Sequence, residues 1–285
     1  MEQATNSMDT QQELTLVLGG TGKTGQRIVQ RLKARGVPTR VASRRTAPAF
    51  DWHEPASWDA ALAGVRVAYI SYAPDLAVPG ATRIIQAFVD KAVAAGVKRL
   101  VLLSGRGETE AQACERIVQA SGVDWTVLRC SWFNQNFSEG AFLPMVQAGE
   151  IALPAGSVPE PFIDVDDIAD VAVAALTEEG HAREVYEVTG PRLLTLAEAA
   201  SEISSAAGRD IRFTEISHAD FAAGLEKAGL PYEYVWLLDY LFSTVLDGRN
   251  ASLADGVQRA LGREPRDFTH YASEIAATGL WSAAA

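Results

Sequence analysis

The chain of 285 residues is long enough to bury a full hydrophobic core in one or two domains, and its 48% hydrophobic and 21% charged residues are typical of a soluble globular protein. A formal net charge of -11 disfavours nucleic acid and anionic membrane surfaces as partners. Two cysteines, Cys114 and Cys130, are too few for a disulfide framework, and neither is expected to have a redox role. Since no leader pattern and no apolar run of about 18 residues occurs, we expect a cytoplasmic protein, either a monomer or a homodimer.

The first patterned segment is an apolar strand followed by a cluster of glycines. Residues 1–12 are polar and patternless, which predicts a flexible tail, and Leu14–Leu18 is then predicted as a buried parallel strand. Gly19, Gly22 and Gly25 follow at a spacing of three. A side chain at either of the first two would keep a phosphate away from backbone N–H groups, and the third lets the next helix pack close to the strand. The segment predicts a dinucleotide-binding turn, whose candidate cofactor contacts are Gly19, Gly20, Thr21, Gly22, Lys23, Thr24 and Gly25.

A nucleoside-triphosphate loop is the competing interpretation of this turn, because Gly22-Lys23-Thr24 is similar to the end of that motif. The motif also needs a glycine five residues before Gly22, and Val17 occupies that position inside the strand. The sequence therefore favours a dinucleotide over a triphosphate.

The second strand, predicted over residues 39–43, ends in the basic turn Ser43-Arg44-Arg45. NAD-binding units usually carry an acidic residue here, which bonds the ribose hydroxyls and would repel a 2′-phosphate. An arginine attracts that phosphate instead and can bond it twice. We therefore predict NADPH (NADP) as the cofactor, held at this end by Ser43 and Arg44. A solvated surface turn is the alternative.

Strand and helix patterns alternate as far as Cys130. A possible short strand at Phe50-Asp51-Trp52 would bring Asp51 and Trp52 near the adenine. Further strands are predicted at residues 65–71, 99–104 and 124–129, with helices at 26–35, 79–95 and 108–120. This alternation predicts an α/β fold with a Rossmann-like, doubly wound parallel sheet. We place the NAD(P)-binding domain at residues 13–155, with its sheet completed by residues 184–189.

The pattern changes in the second half, which predicts a smaller α-rich substrate lobe at residues 156–285. Residues 131–161 lack clean periodicity. They are followed by an acid-rich helix from Asp164, a strand at 184–188, a capping box at Thr195-x-x-Glu198, a half-exposed strand at 211–216 and mostly helical residues from 217 onward. The acids near Asp164 could suggest a metal. Because acids are common at helix N-termini and the four histidines are scattered, we predict no metal site.

Ligands in open α/β sheets bind beyond the carboxyl ends of the strands, so residues at those ends are the first site candidates. Ser104 is the one hydroxyl at the end of a central predicted strand, and Tyr72 follows the strand before it. The Ser104 hydroxyl could bond the substrate or the nicotinamide ribose, or it could only cap the next turn. We predict Ser104 and Tyr72 as catalytic residues that also contact the cofactor.

Several dispersed segments together resemble a known family. They are V-L-G-G-T-G-K-T-G, V-A-S-R-R, F-D-W, R-L-V-L-L-S, W-T-V-L-R-C-S-W-F-N-Q-N-F and D-V-D-D-I-A-D-V-A. In these segments the chain is similar to the NmrA-like family of atypical short-chain dehydrogenases. It is especially similar to the agroclavine and festuclavine dehydrogenases of ergot-alkaloid pathways and their bacterial relatives. The resemblance implies NADP(H) at the glycine loop and Arg44, with a substrate pocket over the nicotinamide.

One departure from ordinary short-chain dehydrogenases narrows the expected chemistry. Those enzymes carry Tyr-x-x-x-Lys in the helix after the strand that ends at Ser104, where the tyrosine donates a proton to a carbonyl oxygen. Here that helix, residues 108–120, contains neither tyrosine nor lysine. This disfavours alcohol and ketone substrates. We predict hydride transfer to an imine or iminium, a quinone or an activated alkene, and the alternative is a non-catalytic NADP(H)-binding redox sensor.

Acceptors of this kind are small aromatic or heterocyclic molecules, so their pocket should be apolar with few polar groups. The candidate substrate-pocket residues are Arg106, Trp132, Phe133, Asn136, Phe137, Phe162 and Trp236. For any single aromatic ring in this set, ordinary core packing is the alternative.

Overall fold

The computed structural model describes residues 13–155 and 157–282, so the tail predicted at residues 1–12 lies outside the described residues. The strands are β1 (Leu14–Leu18), β2 (Thr39–Ala42), β3 (Val65–Ile70), β4 (Arg99–Gly105), β5 (Asp124–Cys130), β6 (Glu150–Leu153), β7 (Glu184–Val188) and β8 (Arg212–Glu215). The helices are α1 (Lys23–Ala34), α2 (Trp58–Leu62), α3 (Ala81–Ala94), α4 (Thr109–Gln119), α5 (Asn136–Glu139), α6 (Leu143–Ala148), α7 (Val165–Thr177), α8 (Leu196–Ala207), α9 (His218–Lys227), α10 (Tyr232–Tyr240), α11 (Gly256–Leu261) and α12 (Phe268–Ala277). A short 3-10 turn at Pro55–Ser57 precedes α2, and a π-helical turn at Leu241–Val245 follows α10.

The main sheet has six parallel strands in the order β2-β1-β3-β4-β5-β7. The chain runs outward from β1 to β2 and then crosses to β3 on the other side of β1, so the strand order reverses between β1 and β3. Ligands of doubly wound sheets bind at the carboxyl ends of the strands beside such a reversal. The predicted doubly wound α/β fold with an α-rich C-terminal lobe is confirmed, whereas the domain boundaries stay a prediction.

Both faces of the sheet are covered, because successive strand residues point to opposite sides. On one side Leu16 packs in a core with side chains of α3 and α4. On the other side Val17 packs in a core with side chains of α1 and α7. The two cysteines are buried, Cys114 in the first core and Cys130 in the second.

The prediction of a short strand at Phe50-Asp51-Trp52 is wrong. Beyond β2, an isolated bridge joins Ser43 and Ala49, and the sixth strand of the sheet is β7. Phe50 and Trp52 instead pack edge to face, with ring centroids 4.9 Å apart. They are anchored because the Trp58 indole N–H donates a 2.8 Å hydrogen bond to the Asp51 carbonyl oxygen. The alternating aromatic residues therefore reflect the burial of two side chains in an irregular segment and do not indicate a strand.

The region predicted without regular elements, residues 131–161, contains α5, α6 and β6. β6 pairs in parallel with β8, and the two form a separate two-stranded sheet. β8 confirms the strand predicted at 211–216. β6 is four residues long and its partner lies far along the chain, so its own sequence is too short to show a periodic pattern. A third core, which includes Phe137, Phe142 and Phe268, fills this lobe.

The acid-rich helix α7 begins as its sequence predicts. The Asp164 side chain accepts a 2.8 Å hydrogen bond from the Asp166 N–H and so caps the helix. Asp166 and Asp170 form ion pairs with Arg31 of α1, and Asp170 also pairs with Arg266. These carboxylates therefore fasten helices together. Among the described helices, every one falls short of the length and apolar character needed to cross a membrane.

Candidate functional site

A cavity of about 480 Å³ lies at the carboxyl ends of β1, β3, β4 and β5. This volume lies within the range of small-molecule sites. The predicted site residues that line it are Gly22, Lys23, Thr24, Tyr72, Ser104, Arg106, Trp132, Phe133 and Asn136. The structure thus brings together residues from four strand ends that are far apart in the sequence.

The glycine loop presents backbone donors to this cavity. Gly19 has a positive φ of 65°, and the Gly19 carbonyl oxygen accepts a 2.8 Å hydrogen bond from the Gly22 N–H. The first bond within α1 runs from the Gln26 N–H to the Gly22 carbonyl, so the amides of residues 23–25 have no carbonyl partner inside the helix. These amides and the positive end of the helix suit a pyrophosphate.

Two of the loop glycines differ in what surrounds them. A Cβ on Gly25 would lie 2.3 Å from the Gly19 carbonyl oxygen, so α1 can pack against the loop only if this residue is glycine. A Cβ on Gly22 would meet nothing closer than 3.2 Å, and its φ of -85° suits any residue. Gly25 therefore serves the packing of the loop, whereas Gly22 leaves space on the cavity side.

The polar side chains of the loop are held by the protein itself. The Lys23 ammonium group donates a 2.7 Å hydrogen bond to Asn136 Oδ1, which ties the loop to the start of α5. Burial lowers the pKa of Lys23. The Thr24 hydroxyl accepts a 3.0 Å hydrogen bond from the Tyr69 hydroxyl beneath the loop. The loop is therefore preorganised by contacts on both sides.

Ser104 belongs to a buried polar network. Its hydroxyl donates a 2.7 Å hydrogen bond to Glu115 Oε1 of α4. Arg129 Nε donates to the same oxygen at 3.0 Å, and Arg129 Nη1 donates to Glu187 at 2.9 Å. The hydroxyl proton of Ser104 is therefore engaged in the hydrogen bond to Glu115, and the Ser104 oxygen can still accept a hydrogen bond from a ligand.

Arg106 and Tyr72 line the same cavity, and different contacts hold the two side chains: hydrogen bonds for Arg106 and ring packing for Tyr72. The Arg106 guanidinium donates to the carbonyl oxygens of Asn250 at 2.8 Å and Ser252 at 2.7 Å, so it anchors the loop before α11. The Tyr72 ring packs against Trp52 with centroids 5.1 Å apart. Burial raises the pKa of the Tyr72 phenol, which therefore stays protonated at neutral pH.

Three predicted pocket residues are corrected by the structure, because they do not line the cavity. Phe137 and Phe162 are 0% and 3% exposed and pack against each other in the lobe core. Trp236 stacks on Tyr240, with centroids 5.4 Å apart. Its helix turns a different face to the cavity, consisting of Tyr234, Leu237, Leu238 and, one turn on, Leu241.

The residues predicted to hold the adenosine end lie outside the cavity lining. Arg44 is exposed at the end of β2, and the Ser43 hydroxyl accepts a 3.3 Å hydrogen bond from the Arg45 N–H. The Asp51 carboxylate accepts a 2.9 Å hydrogen bond from the His53 N–H. Trp52 is 7% exposed. Their roles toward a cofactor stay predictions.

Sequence reasoning missed two carboxyl groups that line the cavity, Asp75 and Glu108. Asp75 follows the end of β3, and Glu108 follows the end of β4 at Gly105. The rule that ligands bind beyond strand ends could have found both. In the sequence, Glu108 also begins a predicted helix, where an acid is common without any ligand.

The comparisons with known proteins agree with this geometry. The family described as NAD(P)H-binding matches residues 19–179. Agroclavine dehydrogenase from Claviceps fusiformis is 33% identical over 282 residues, covering 91% of this chain and 96% of that protein. This match confirms the resemblance that the motifs predicted.

Two solved structures share the fold. An NADPH-dependent quinone oxidoreductase from Escherichia coli, complexed with NADPH, superposes with a TM-score of 0.77 at 24% identity, covering 92% of this chain and 99% of that one. NmrA, a negative transcriptional regulator in complex with NAD, superposes with a TM-score of 0.70 at 15% identity, covering 94% and 97%. The family match spans more than half of the chain, and a clavine dehydrogenase is 33% identical over nearly its whole length. This chain therefore belongs to the NAD(P)H-binding family and is an NAD(P)H-dependent oxidoreductase.

Proposed function

We propose that the protein is an NADPH-dependent reductase that passes a hydride to an imine or iminium, a quinone or an activated alkene. The observation that carries this proposal is one cavity that joins the glycine-loop amides to an aromatic and aliphatic wall. The helix that follows β4, α4, contains neither tyrosine nor lysine, which favours acceptors that need no tyrosine acid.

The residues that would hold the cofactor lie after β1, at the start of α1 and after β2. The amides of residues 23–25 would bind the pyrophosphate, and Arg44 would bind the 2′-phosphate. When bound, NADPH supplies the hydride. The Ser104 oxygen, whose proton is given to Glu115, is available to accept a hydrogen bond from a ribose hydroxyl.

The acceptor would lie against the apolar wall of the cavity. Trp132 and Phe133 follow β5, and Tyr234 and Leu237 face them from α10. Flat rings suit a planar conjugated acceptor, and burial against them excludes water from the reacting atoms. The relatives support this class of acceptor by their names, which are agroclavine dehydrogenase and NADPH-dependent quinone oxidoreductase.

The alternative is a redox sensor that binds NADP(H) without turnover. The fold shared with the regulator NmrA permits it. A sensor needs only the nucleotide contacts, whereas the cavity extends from the glycine loop to the apolar side chains of α10. The geometry therefore favours the reductase. The cytoplasmic location and the choice between monomer and homodimer stay predictions.

The test is NADPH oxidation measured with a panel of quinones, cyclic imines, iminium salts and conjugated enones, alongside calorimetric titration of NADPH and NADH. We expect binding of NADPH and turnover with at least one acceptor class. Binding of NADPH without turnover of any acceptor would favour the sensor. Failure of both nucleotides to bind would refute both functions.

A further inference from the structure

Two carboxyl groups face the cavity from different elements. Asp75 lies in the segment after β3, where its Oδ1 accepts a 2.8 Å hydrogen bond from the Ala77 N–H. Glu108 lies just before α4 and is 7% exposed. The two carboxyl groups interact directly with each other. They form a pair, defined here as the Asp75–Glu108 pair.

The fold keeps space for the Glu108 carboxyl at the end of the central strand β4. A Cβ on Gly105 would lie 1.9 Å from Glu108 Oε1, so the carboxyl rests directly on the backbone of that glycine. No protein donor among the described residues reaches Glu108 Oε2, although that atom is buried. An unsatisfied buried oxygen beside a cavity is available to a ligand.

No positive charge balances this pair. Within residues 13–155 and 157–282, neither Asp75 nor Glu108 forms an ion pair. Besides its partner, the carboxyl groups that act on Glu108 are Glu110 and Glu115 of α4. The Cys130 thiol of β5 and the Tyr240 phenol of α10 also interact with it, and both stay neutral because burial raises their pKa values. A negative charge on Glu108 is therefore opposed by the neighbouring carboxylates.

Two adjacent buried carboxyl groups share a proton, because two carboxylates repel and neither can donate a hydrogen bond. Burial, followed by the charge of Asp75, raises the pKa of Glu108 well above its usual range. Burial also raises the pKa of Asp75, but its hydrogen bond with the Ala77 N–H and its interaction with Glu108 act in the opposite direction. The Ala77 N–H bonded to Asp75 Oδ1 favours the ionised form of Asp75, whereas Glu108 Oε2 has no donor among the described residues, so the proton of the pair belongs on Glu108.

We propose that Glu108, paired with Asp75, is the acid that protonates the acceptor during reduction. This inference rests on the proposed function. Hydride addition to one end of a quinone, neutral imine or conjugated alkene leaves an electron pair on an oxygen, nitrogen or carbon atom. The O–H bond of Glu108 then breaks, and its proton forms an O–H, N–H or C–H bond with that pair. Glu108 remains as a carboxylate beside Asp75 and recovers a proton from water.

The chemistry separates two classes of acceptor. A neutral quinone needs this proton, whereas an iminium cation becomes a neutral amine on hydride addition and needs none. A proton donor should therefore matter for the first class and much less for the second. A group that only binds or shapes the cavity would affect both classes alike.

The kinetic test compares Glu108→Gln with the wild type on menadione and on an N-methyl dihydroisoquinolinium salt. Glutamine keeps the shape and a donor toward Asp75 but has no transferable proton. We expect kcat for menadione to fall about 100-fold or more, the usual contribution of a general acid, with a far smaller change for the iminium salt. Asp90→Asn, an acid-to-amide change at an exposed position of α3, is the matched control and should change neither rate. Equal losses on both acceptors, or no loss on menadione, would overturn the proposal.

A second test needs neither cofactor nor turnover. An infrared titration of the free protein, taken as the difference between the wild type and Glu108→Gln, should show the band of a protonated carboxylic acid at neutral pH. The difference cancels the band of Glu160, whose pKa is also raised. Asp75→Asn should move the midpoint of this band to lower pH, because it removes a neighbouring negative charge. Two ionised carboxylates at neutral pH would overturn the proposal even if the enzyme is active. A wild type that reduces no acceptor would instead refute the proposed function and leave the infrared result standing.

Discussion

The Ser104 hydroxyl donates its hydrogen bond to Glu115 Oε1, and Arg129 donates to both oxygens of the same carboxylate. The strand-end serine that the sequence marked as a catalytic candidate is therefore an acceptor toward the cavity. Its proton is used to join β4 to α4. This arrangement makes Ser104 more important for positioning than for proton transfer.

Ser104→Ala should lower stability more than it lowers turnover. The variant loses a hydrogen bond to a charged group, which costs roughly 1.5–3 kcal/mol in the free energy of unfolding. Urea unfolding measures this loss, and steady-state kinetics should show a kcat within about tenfold of the wild type, a factor that corresponds to 1.36 kcal/mol in the barrier. Ser131→Ala is the matched control, because the Ser131 hydroxyl lines the same cavity and has no hydrogen-bond partner among the described residues. A much larger fall in kcat for Ser104→Ala would show that Ser104 is a proton donor after all.

Gly22→Val and Gly25→Val should separate binding from folding. At Gly22 a Cβ would meet the Gly19 carbonyl oxygen at 3.2 Å, which a small shift relieves, and the side chain would fill the space above the first-turn amides. NADPH binding should therefore be lost with a much smaller loss of stability than at Gly25. At Gly25 a Cβ meets the Gly19 carbonyl at 2.3 Å, so overpacking should cost roughly 1–3 kcal/mol or more of stability. Calorimetric binding and thermal unfolding of both variants provide the comparison. Retained NADPH binding in Gly22→Val would contradict the placement of the pyrophosphate.

Arg44→Asp should weaken NADPH far more than NADH. The change removes a charged contact to the 2′-phosphate, worth roughly 1–3 kcal/mol, and adds a repelling carboxylate. Titration of both nucleotides measures the difference, and Arg45→Asp, an exposed neighbour on the same turn, is the matched control. If both nucleotides bind to Arg44→Asp as they do to the wild type, the adenosine end lies elsewhere.

Glu160→Gln should stabilise the protein at alkaline pH. Glu160 is 1% exposed, and both of its carboxyl oxygens lack partners among the described residues. Burial raises its pKa to about 7, partly offset by the charge of Arg106. Because the folded-state pKa lies above the unfolded value of 4.5, the folded protein binds this proton more tightly. The free energy of unfolding should therefore fall by roughly 3 kcal/mol as the pH rises between these two values.

Urea unfolding near pH 5 and near pH 8 measures that fall. Glu160→Gln should remove most of it, and the exposed Glu226→Gln on α9 should leave it unchanged. An undiminished fall in Glu160→Gln would assign the pH dependence to other groups.

The helices and strands of the first half could be predicted from the sequence because each depends on residues that are close together in the chain. Apolar runs such as Leu14–Leu18 must be buried on both faces, and the glycine spacing permits only a tight strand-to-helix turn. β6 could not be predicted, since its pairing with β8 depends on a partner distant in the sequence. The prediction that Trp236 lines the pocket was wrong for a similar reason. Its composition suits a pocket, but only the packing of α10 decides which helical face meets the cavity.

The sequence by itself determined the dinucleotide fold, the glycine turn and the missing tyrosine acid, because each depends on residue types at short spacing. Only the tertiary structure decided that the proton of Ser104 belongs to Glu115 and that Asp75 meets Glu108 over Gly105. The protonation state of a carboxyl group depends on its burial and on its neighbours in space. Those neighbours come from strand ends that the chain separates by many residues.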